Sequence, residues 1–552
     1  MLSYKTPGVY VEETPTLPPS VASVSTAVPA FIGYTEMGYP ADGEHPTAVK
    51  ISSMLEFRAL FGGPKAVKFK AIVTNPEDGG QEVIIQGPNS GGPDQLQYIM
   101  YHSLELYFAN GGSPCYIVSV GSTRQDSPVK DDFIKGLDAI KSKDEPTLIV
   151  LTDAVKLPST DYHDLCQNAL MQCAELKDRF AIFDVLDTGA GASEDIEAFR
   201  NSIGMNDLKY GAAYFPYLKT SLNYHYKEEE VDVEGLSAAG QYETDPNGIE
   251  VTYNGPQTDT PRVKIQKSGD TIGFEISASK VLTILGIGEG KTPEEVVEAW
   301  GNHTDKQGFD IKINGSGTTD VTFVSQAAIE LNFSIKLSTL KTDRTASYNA
   351  IKQALARETI TLPPSSAVAG IYAKVDRERG VWKAPANVSL SSVIRPQHLI
   401  TNEQQEGFNV DAITGKSINI IRSFQGRGTL VWGARTLAGN DNEWRYVSVR
   451  RLFNTIEEST QKATSFAVFE SNDATTWLKV KALIENYLYG LWQLGALAGA
   501  SPELAYYVQV GLGRTMTTQD VLEGRMNVEI GIAAARPAEF IILKFSHKMQ
   551  EA

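Results

Sequence analysis

The residues with the best claim to chemistry are those that could cradle a phosphate. Gly286-Ile287-Gly288-Glu289-Gly290-Lys291-Thr292 ends in Gly-Lys-Thr, whose amides, ammonium and hydroxyl could hold phosphate and magnesium. That loop also needs a glycine five residues before Gly290, and Leu285 stands there. The same residues have a simpler use. Thr292 caps a helix, Pro293 opens it, and Glu294 and Glu295 suit its positive end. Thr414-Gly415-Lys416-Ser417 fails in the same way, with Val410 at the required glycine. The seven histidines (His45, His102, His163, His225, His303, His398 and His547) are far apart, and no two have ligand spacing on a helix. No G-x-S-x-G elbow occurs. The carboxylates follow no pairing pattern. No catalytic residue, metal or cofactor is therefore expected, and an enzyme without a recognisable motif is kept only as a further alternative.

Composition narrows the classes. The chain has 552 residues, 42% hydrophobic and 21% charged, as globular proteins do. With 50 Lys and Arg against 67 Asp and Glu, its formal charge is −17. Nucleic-acid affinity comes largely from neutralised phosphates, so no nucleic-acid partner is expected. Three cysteines, Cys115, Cys166 and Cys173, exclude a disulfide scaffold and fit a reducing compartment. The N-terminus lacks a basic region followed by an apolar stretch, so no secretory signal is expected. The uncharged stretch near the C-terminus is too short and polar for stable membrane insertion.

The elements fall into six stretches. Residues 1–30 read as an extended linking arm, with a β-rich Tyr4–Glu13, then Thr14-Pro15-Thr16-Leu17-Pro18-Pro19, which cannot be helical, then a strand over Ser20–Ile32. Residues 31–61 belong to the core, and 62–95 read as a Gly- and Pro-rich surface excursion with one strand, Glu82–Gln86. Residues 96–224 alternate helices with continuously apolar strands, which argues for an α/β sheet covered on both faces. Between Tyr226 and Thr345 there are 20 acidic and 11 basic residues, a net of −9. Short alternating strands there (Ile249–Tyr253, Arg262–Gln266, Thr271–Ile276, Asp310–Ile313 and Val321–Val324) make 225–345 an inserted acidic β-rich domain. Residues 346–552 return to the helical, apolar pattern, and Glu539–Phe545 gives a closing strand signal.

Blocks at both termini carry a family resemblance. They begin with Thr6-Pro7-Gly8-Val9-Tyr10-Val11-Glu12-Glu13 and continue through Tyr107-Phe108-Ala109-Asn110-Gly111-Gly112. The densest run holds Pro363-Pro364-Ser365, Asp376, Arg379-Gly380-Val381-Trp382, Asn419-Ile420-Ile421-Arg422, Trp444-Arg445-Tyr446-Val447 and Arg450-Arg451-Leu452, and closes with Pro537-Ala538-Glu539-Phe540. In these blocks the chain resembles the contractile tail sheath proteins of phages and phage-tail-like injection systems. The likeness spans roughly 1–60, 96–220 and 346–552, and omits 62–93 and 225–345. Trp382, Trp432, Trp444 and Trp477 read as core, and Arg379, Arg435, Arg450 and Arg451 as buried or interface hydrogen-bond forks.

The resemblance implies an α/β fold. Its inner α/β domain is built from the N- and C-terminal parts with extended terminal strands. Outer domains, one of them β-rich, are inserted. It further implies a homopolymer around an inner tube protein, with baseplate and cap or terminator proteins as further partners, made in the cytoplasm and assembled into a phage tail or phage-tail-like particle. Linking strands between subunits are carried onto Gly8, Val9, Tyr10, Val11 and Glu12, and onto Phe540, Ile541, Ile542, Leu543 and Phe545. Hinges fall at Pro15, Pro18, Pro19 and Pro537. Gln519, Asp520, Glu523 and Arg525 would face the tube. A non-contracting sheath-like paralogue near baseplate or cap is the alternative.

Overall fold

The computed structural model describes residues 21–38, 46–74, 82–88, 90, 96–236, 240–243, 248–255, 260–267, 269, 271–288, 290–314, 326–331 and 335–542. The chain divides into two compact units. The first draws on residues 1–65, 97–222 and 360–552, the second on 66–96 and 223–359.

The first unit is built on a nine-stranded sheet. Its strands are β1 (Pro29–Thr35), β2 (Ala48–Ile51), β3 (Cys115–Ser122), β4 (Leu148–Leu151), β5 (Phe180–Asp184), β6 (Gly211–Phe215), β7 (Val388–Ser389), β8 (Ile418–Phe424) and β9 (Gly428–Val431). They lie in the order β2-β3-β1-β4-β5-β6-β8-β9-β7. The six strands from β3 to β8 in this order run parallel, and antiparallel strands finish both edges. Every residue of β1, β4, β5 and β6 is buried, as a parallel sheet covered on both faces requires.

Around it lie α1 (Met54–Phe61), α2 (Met100–Ala109), α3 (Lys130–Lys141), α4 (Ser159–Leu176) and α5 (Ser365–Arg379). Helices α2 and α5 pack so closely that a Cβ on Gly370 would lie 2.6 Å from the Tyr107 carbonyl oxygen. Neither helix has a side-chain cap at its own start. Aspartates at strand ends supply one instead. Asp153 accepts hydrogen bonds from the amides of Ile99 (2.5 Å), Met100 (3.1 Å) and Tyr34 (2.7 Å), and Asp184 from that of Ser365 (2.7 Å). Burial pushes the Asp153 carboxyl up to about 6 and that of Asp184 up to about 7, against the lowering effect of these amides.

The second unit holds three small sheets. One runs Ile335–Lys336, Asp232–Glu234, Lys70–Thr74, Glu82–Gln86; the others are three- and four-stranded. Ile249, Val251, Tyr253, Ile284, Val296 and Trp300 belong to its core. The helix Pro293–Gly301 opens with a full capping box between Thr292 and Glu295, so the would-be phosphate loop is a helix start.

Several expectations change. The 62–95 stretch is no separate excursion. Lys70–Thr74 pairs in parallel with Asp232–Glu234, so it shares a sheet with the later insert. Composition along the chain could not reveal that long-range ladder. Residues 21–28 form no strand; the strand begins at Pro29. Val321–Val324 lies outside the described residues.

Candidate assembly interface

After α6 (Val447–Ala463) and α7 (Ala474–Gln493), strands β10 (Tyr506–Val510) and β11 (Val528–Ile532) form a two-stranded antiparallel sheet. Alternation gives it two faces. Tyr506, Val508, Val528, Ile530 and Ile532 join a cluster with Leu452 and Ile456 of α6 and Val480, Ile484 and Leu488 of α7. On the other face the Tyr507 hydroxyl donates to Glu529 at 2.8 Å, and its ring covers Gly531, where a Cβ would meet it at 2.2 Å. Among the described residues neither strand pairs with a third. Two strands alone are marginal, and an open edge is a template for another chain. Along β11 runs a groove of about 760 Å³ lined by Val480, Ile484, Met526, Val528 and Ile530. At its rim Phe469 is fully exposed and holds a left-handed backbone, φ 69°.

Both chain ends leave this same unit from buried anchors. At the N-terminal root the Thr26 carbonyl accepts from Arg451 (2.7 Å) and from the Thr147 hydroxyl (2.9 Å). Arg451 also forks onto Asp376 at 3.1 and 2.5 Å and lies 4.7 Å from the Tyr372 ring centre. Both side chains of the Arg451–Asp376 pair are at most 4% exposed. Nearer the terminus, the Val24 amide donates to the Ser459 hydroxyl at 3.2 Å.

At the C-terminal root Arg435 grips Glu539 through Nε (2.9 Å) and a terminal nitrogen (2.5 Å). Burial alone would lower the Arg435 pKa; the Glu539 carboxylate outweighs it and holds the group above its ordinary value. Arg536 donates to the Asn442 carbonyl at 2.8 Å. Just beyond Glu539, Phe540, Ile541 and Ile542 are 72%, 78% and 80% exposed and form no strand.

That last point corrects the strand expected over Glu539–Phe545, at least as far as residue 542. Among the described residues Phe540–Ile542 have no ladder partner. Gly8, Val9, Tyr10, Val11, Glu12, Leu543 and Phe545, and the hinge residues Pro15, Pro18 and Pro19, lie outside the described residues. Pro537 sits between two anchored residues, Arg536 and Glu539, which does not suit it to be a hinge.

Gln519, Asp520, Glu523 and Arg525 are brought together in and just after the short helix α8 (Thr518–Leu522). Gln519 donates to Glu523 at 2.7 Å, and Arg525 pairs with Asp520 at 3.1 Å and with Glu523. The Thr517 amide holds the Asp520 carboxyl below the usual range.

The four tryptophans expected in the core are half-buried, because each covers a polar neighbour or a groove; Trp444 lies under Arg450, 4.2 Å from ring centre to guanidinium. Arg379 is exposed at the end of α5. Sequence reasoning listed Arg435 and Arg451 as forks but missed their acids, Glu539 and Asp376, although both lie within the matched blocks. Among the described residues no three His, Cys, Asp or Glu could hold a metal, and no helix is long and apolar enough to cross a membrane.

The fold is thus a mixed α/β one with an unfinished edge sheet and two anchored chain ends. Residues 294–437 match the family model of the phage tail sheath protein central domain, and 439–548 that of the phage tail sheath C-terminal domain. Over residues 294–437 and 439–548 the chain is therefore similar to the phage tail sheath proteins. The first match reaches back to residue 294, into a stretch the sequence likeness was expected to omit.

The tail sheath proteins of Vibrio phage KVP40 and Enterobacteria phage T4 are 25% and 24% identical over 185 residues, 33% of this chain. The matched stretch spans about a quarter of these curated relatives, 26% and 27% of their length. Among solved structures, the PVC sheath complex of an extracellular contractile injection system, in its contracted state, is 27% identical with TM-score 0.58, covering 99% of both chains. The contracted helical sheath of the anti-feeding prophage is 26% identical with TM-score 0.54, covering 99% of this chain and 100% of that one.

Proposed function

We propose that the chain is the structural subunit of a contractile tail sheath rather than a catalyst. Copies polymerise around an inner tube in a metastable extended lattice, which contracts to drive the tube through a target cell envelope. One observation carries the reading: a sheet left at two strands in the same unit that sends out two anchored chain ends, one of them visibly apolar and unpaired. In the assembly, strands around Gly8–Glu12 and Phe540–Phe545 of neighbouring copies add to β10 and β11. Backbone hydrogen bonds give strength, and alternate side chains set register. Head-to-tail addition of this kind does not close on itself, so it propagates. The first unit is the inner domain and the 225–345 insert faces outward. The Pro15–Pro19 stretch and the chain just past Glu539 are the hinges. Gln519, Asp520, Glu523 and Arg525 face the tube, and baseplate and cap proteins hold the ends.

A second reading, a non-contracting sheath-like ring near the baseplate, is favoured by a likeness to a chain of the anti-feeding prophage baseplate, 27% identical with TM-score 0.54. Electron microscopy of particles purified from cells that make the chain with its neighbouring gene products separates the two. Long narrow and short wide sheaths of this chain support contraction. Only a single short ring supports the second reading, and no assembly at all defeats both.

A further inference from the structure

Beside the groove along β11 stands a side chain that its own subunit leaves unused. Phe469 is fully exposed, its neighbour Val468 is 63% exposed, and the Phe469 backbone is left-handed, a region costly for a residue with a Cβ. The turn that carries it is fastened on both sides. The Val468 amide donates to the Ser465 carbonyl and the Glu470 amide to that of Ala467, both at 3.2 Å. Just beyond, the Asn472 side chain accepts from the Trp477 indole at 2.7 Å and donates to the Arg525 carbonyl at 3.0 Å. The ring is therefore held out in water at a fixed place, as a preorganised anchor is. Among the described residues, more than half of the large hydrophobic side chains that stand exposed fall between Phe466 and Ile542, and exposed apolar surface concentrated in this way marks an interface.

A matching hollow lies on the same unit. It measures about 480 Å³, and Val21, Gly380, Trp382, Leu452, Leu491 and Leu494 line it. Leu494, 67% exposed, gives it an apolar rim. The hollow beside it, which shares Ser23, is lined by Lys143, Asp144, Glu145, Glu458 and Lys462 and does not suit a phenyl ring. Charge agrees with the choice. Phe469 is followed by the exposed Glu470 and Asp473, whereas Gly380 is preceded by the exposed Arg377 and Arg379, with Glu378 as the acid between them. The subunit cannot satisfy itself. Phe469 sits beside Val480 and Ile484, and the hollow lies beside Leu491, roughly 16 Å farther along α7 at about 1.5 Å per residue.

We infer that Phe469 of one copy seats in the Trp382 hollow of the next, with Glu470 against Arg379. Knob and hollow are different patches, so the contact is head-to-tail and repeats without closing. Its place in a sheath rests on the sheath reading; the seating of one copy on the next rests on the shape and charge of the two patches.

The test uses the full-length chain. The F469C/L494C double variant carries one thiol on the knob and one on the rim of the hollow, and the three native cysteines are buried. Mild oxidation is expected to give a ladder of disulfide-linked multimers on a non-reducing gel. Monomers alone overturn the contact, and so do dimers alone, which mean a closed or knob-to-knob pairing. In parallel, Glu470→Arg and Arg379→Glu are each expected to cut the yield of sheaths about tenfold, because like charges then face each other. The E470R/R379E double variant is expected to restore the yield, and a double variant no better than the single ones overturns the pairing of Glu470 with Arg379. Parental sheaths without the ladder overturn the contact and leave the sheath reading standing; a ladder without parental sheaths does the reverse.

Discussion

Arg435 and Glu539, far apart in sequence, meet as a two-pronged ion pair whose arginine side chain is 4% exposed. The pair anchors the chain immediately before the exposed, apolar Phe540-Ile541-Ile542.

Arg435→Ala leaves the Glu539 carboxylate without its partner. The expected loss is about 3 kcal/mol, the lower end for breaking a buried pair, because Glu539 keeps 19% of its side chain in water. Arg435→Lys keeps the charge but loses the fork and should lie between. Urea unfolding of the three proteins checks this; coincident midpoints would contradict the anchoring role.

Asp184 gives the protein a pH dependence of known sign. Its folded pKa, about 7, lies above the ordinary carboxylate value because of burial. The group therefore contributes full stability only below its unfolded pKa, and that contribution is lost as pH rises from about 4 through about 7. The loss is of the order of 4 kcal/mol, and Asp153 adds to it with the same sign. Asp184→Asn keeps an acceptor for the Ser365 amide but cannot ionise. Its urea midpoint should rise relative to the parent between pH 5 and pH 8; a constant difference across that range would remove the titration argument.

Deleting Met1–Leu17 should leave a folded subunit, because the anchors at Thr26, Arg451 and Asp376 remain. It should not form tubes. Circular dichroism reports the first outcome and negative-stain microscopy the second. Tubes of normal length from the truncated chain would refute strand exchange.

Ile542→Asp puts a charge on a side chain that is 80% exposed in the lone subunit. The subunit's own stability should hardly change, within about 0.5 kcal/mol as for surface substitutions generally. Assembly should fail, because the charge would enter an inner sheet. Sheaths of parental yield would move the donated strand elsewhere.

Some of this is legible in sequence. The helix at Pro293 follows from Thr292, Pro293 and Glu295, and the structure adds only the reciprocal hydrogen bonds. Strands Ile249–Tyr253 and Arg262–Gln266 follow from strict alternation and fall where that pattern puts them. What sequence hides is pairing at a distance. Lys70–Thr74 looks like surface because its partner, Asp232–Glu234, lies far along the chain. Arg451 reads as a fork, but Asp376 looks like one more charge until α5 and α6 bring the two to 2.5 Å. Glu539–Ile542 reads as strand on propensity, yet a strand needs a second backbone, and no periodicity says whether the subunit supplies it.

The position of β1 has a mechanical consequence. The N-terminal root runs straight into it, and β1 is bonded on both sides, to β3 and to β4. Traction on the chain end is therefore taken up in shear by two ladders at once, instead of unzipping an edge bond by bond. The first unit can bear load through its middle.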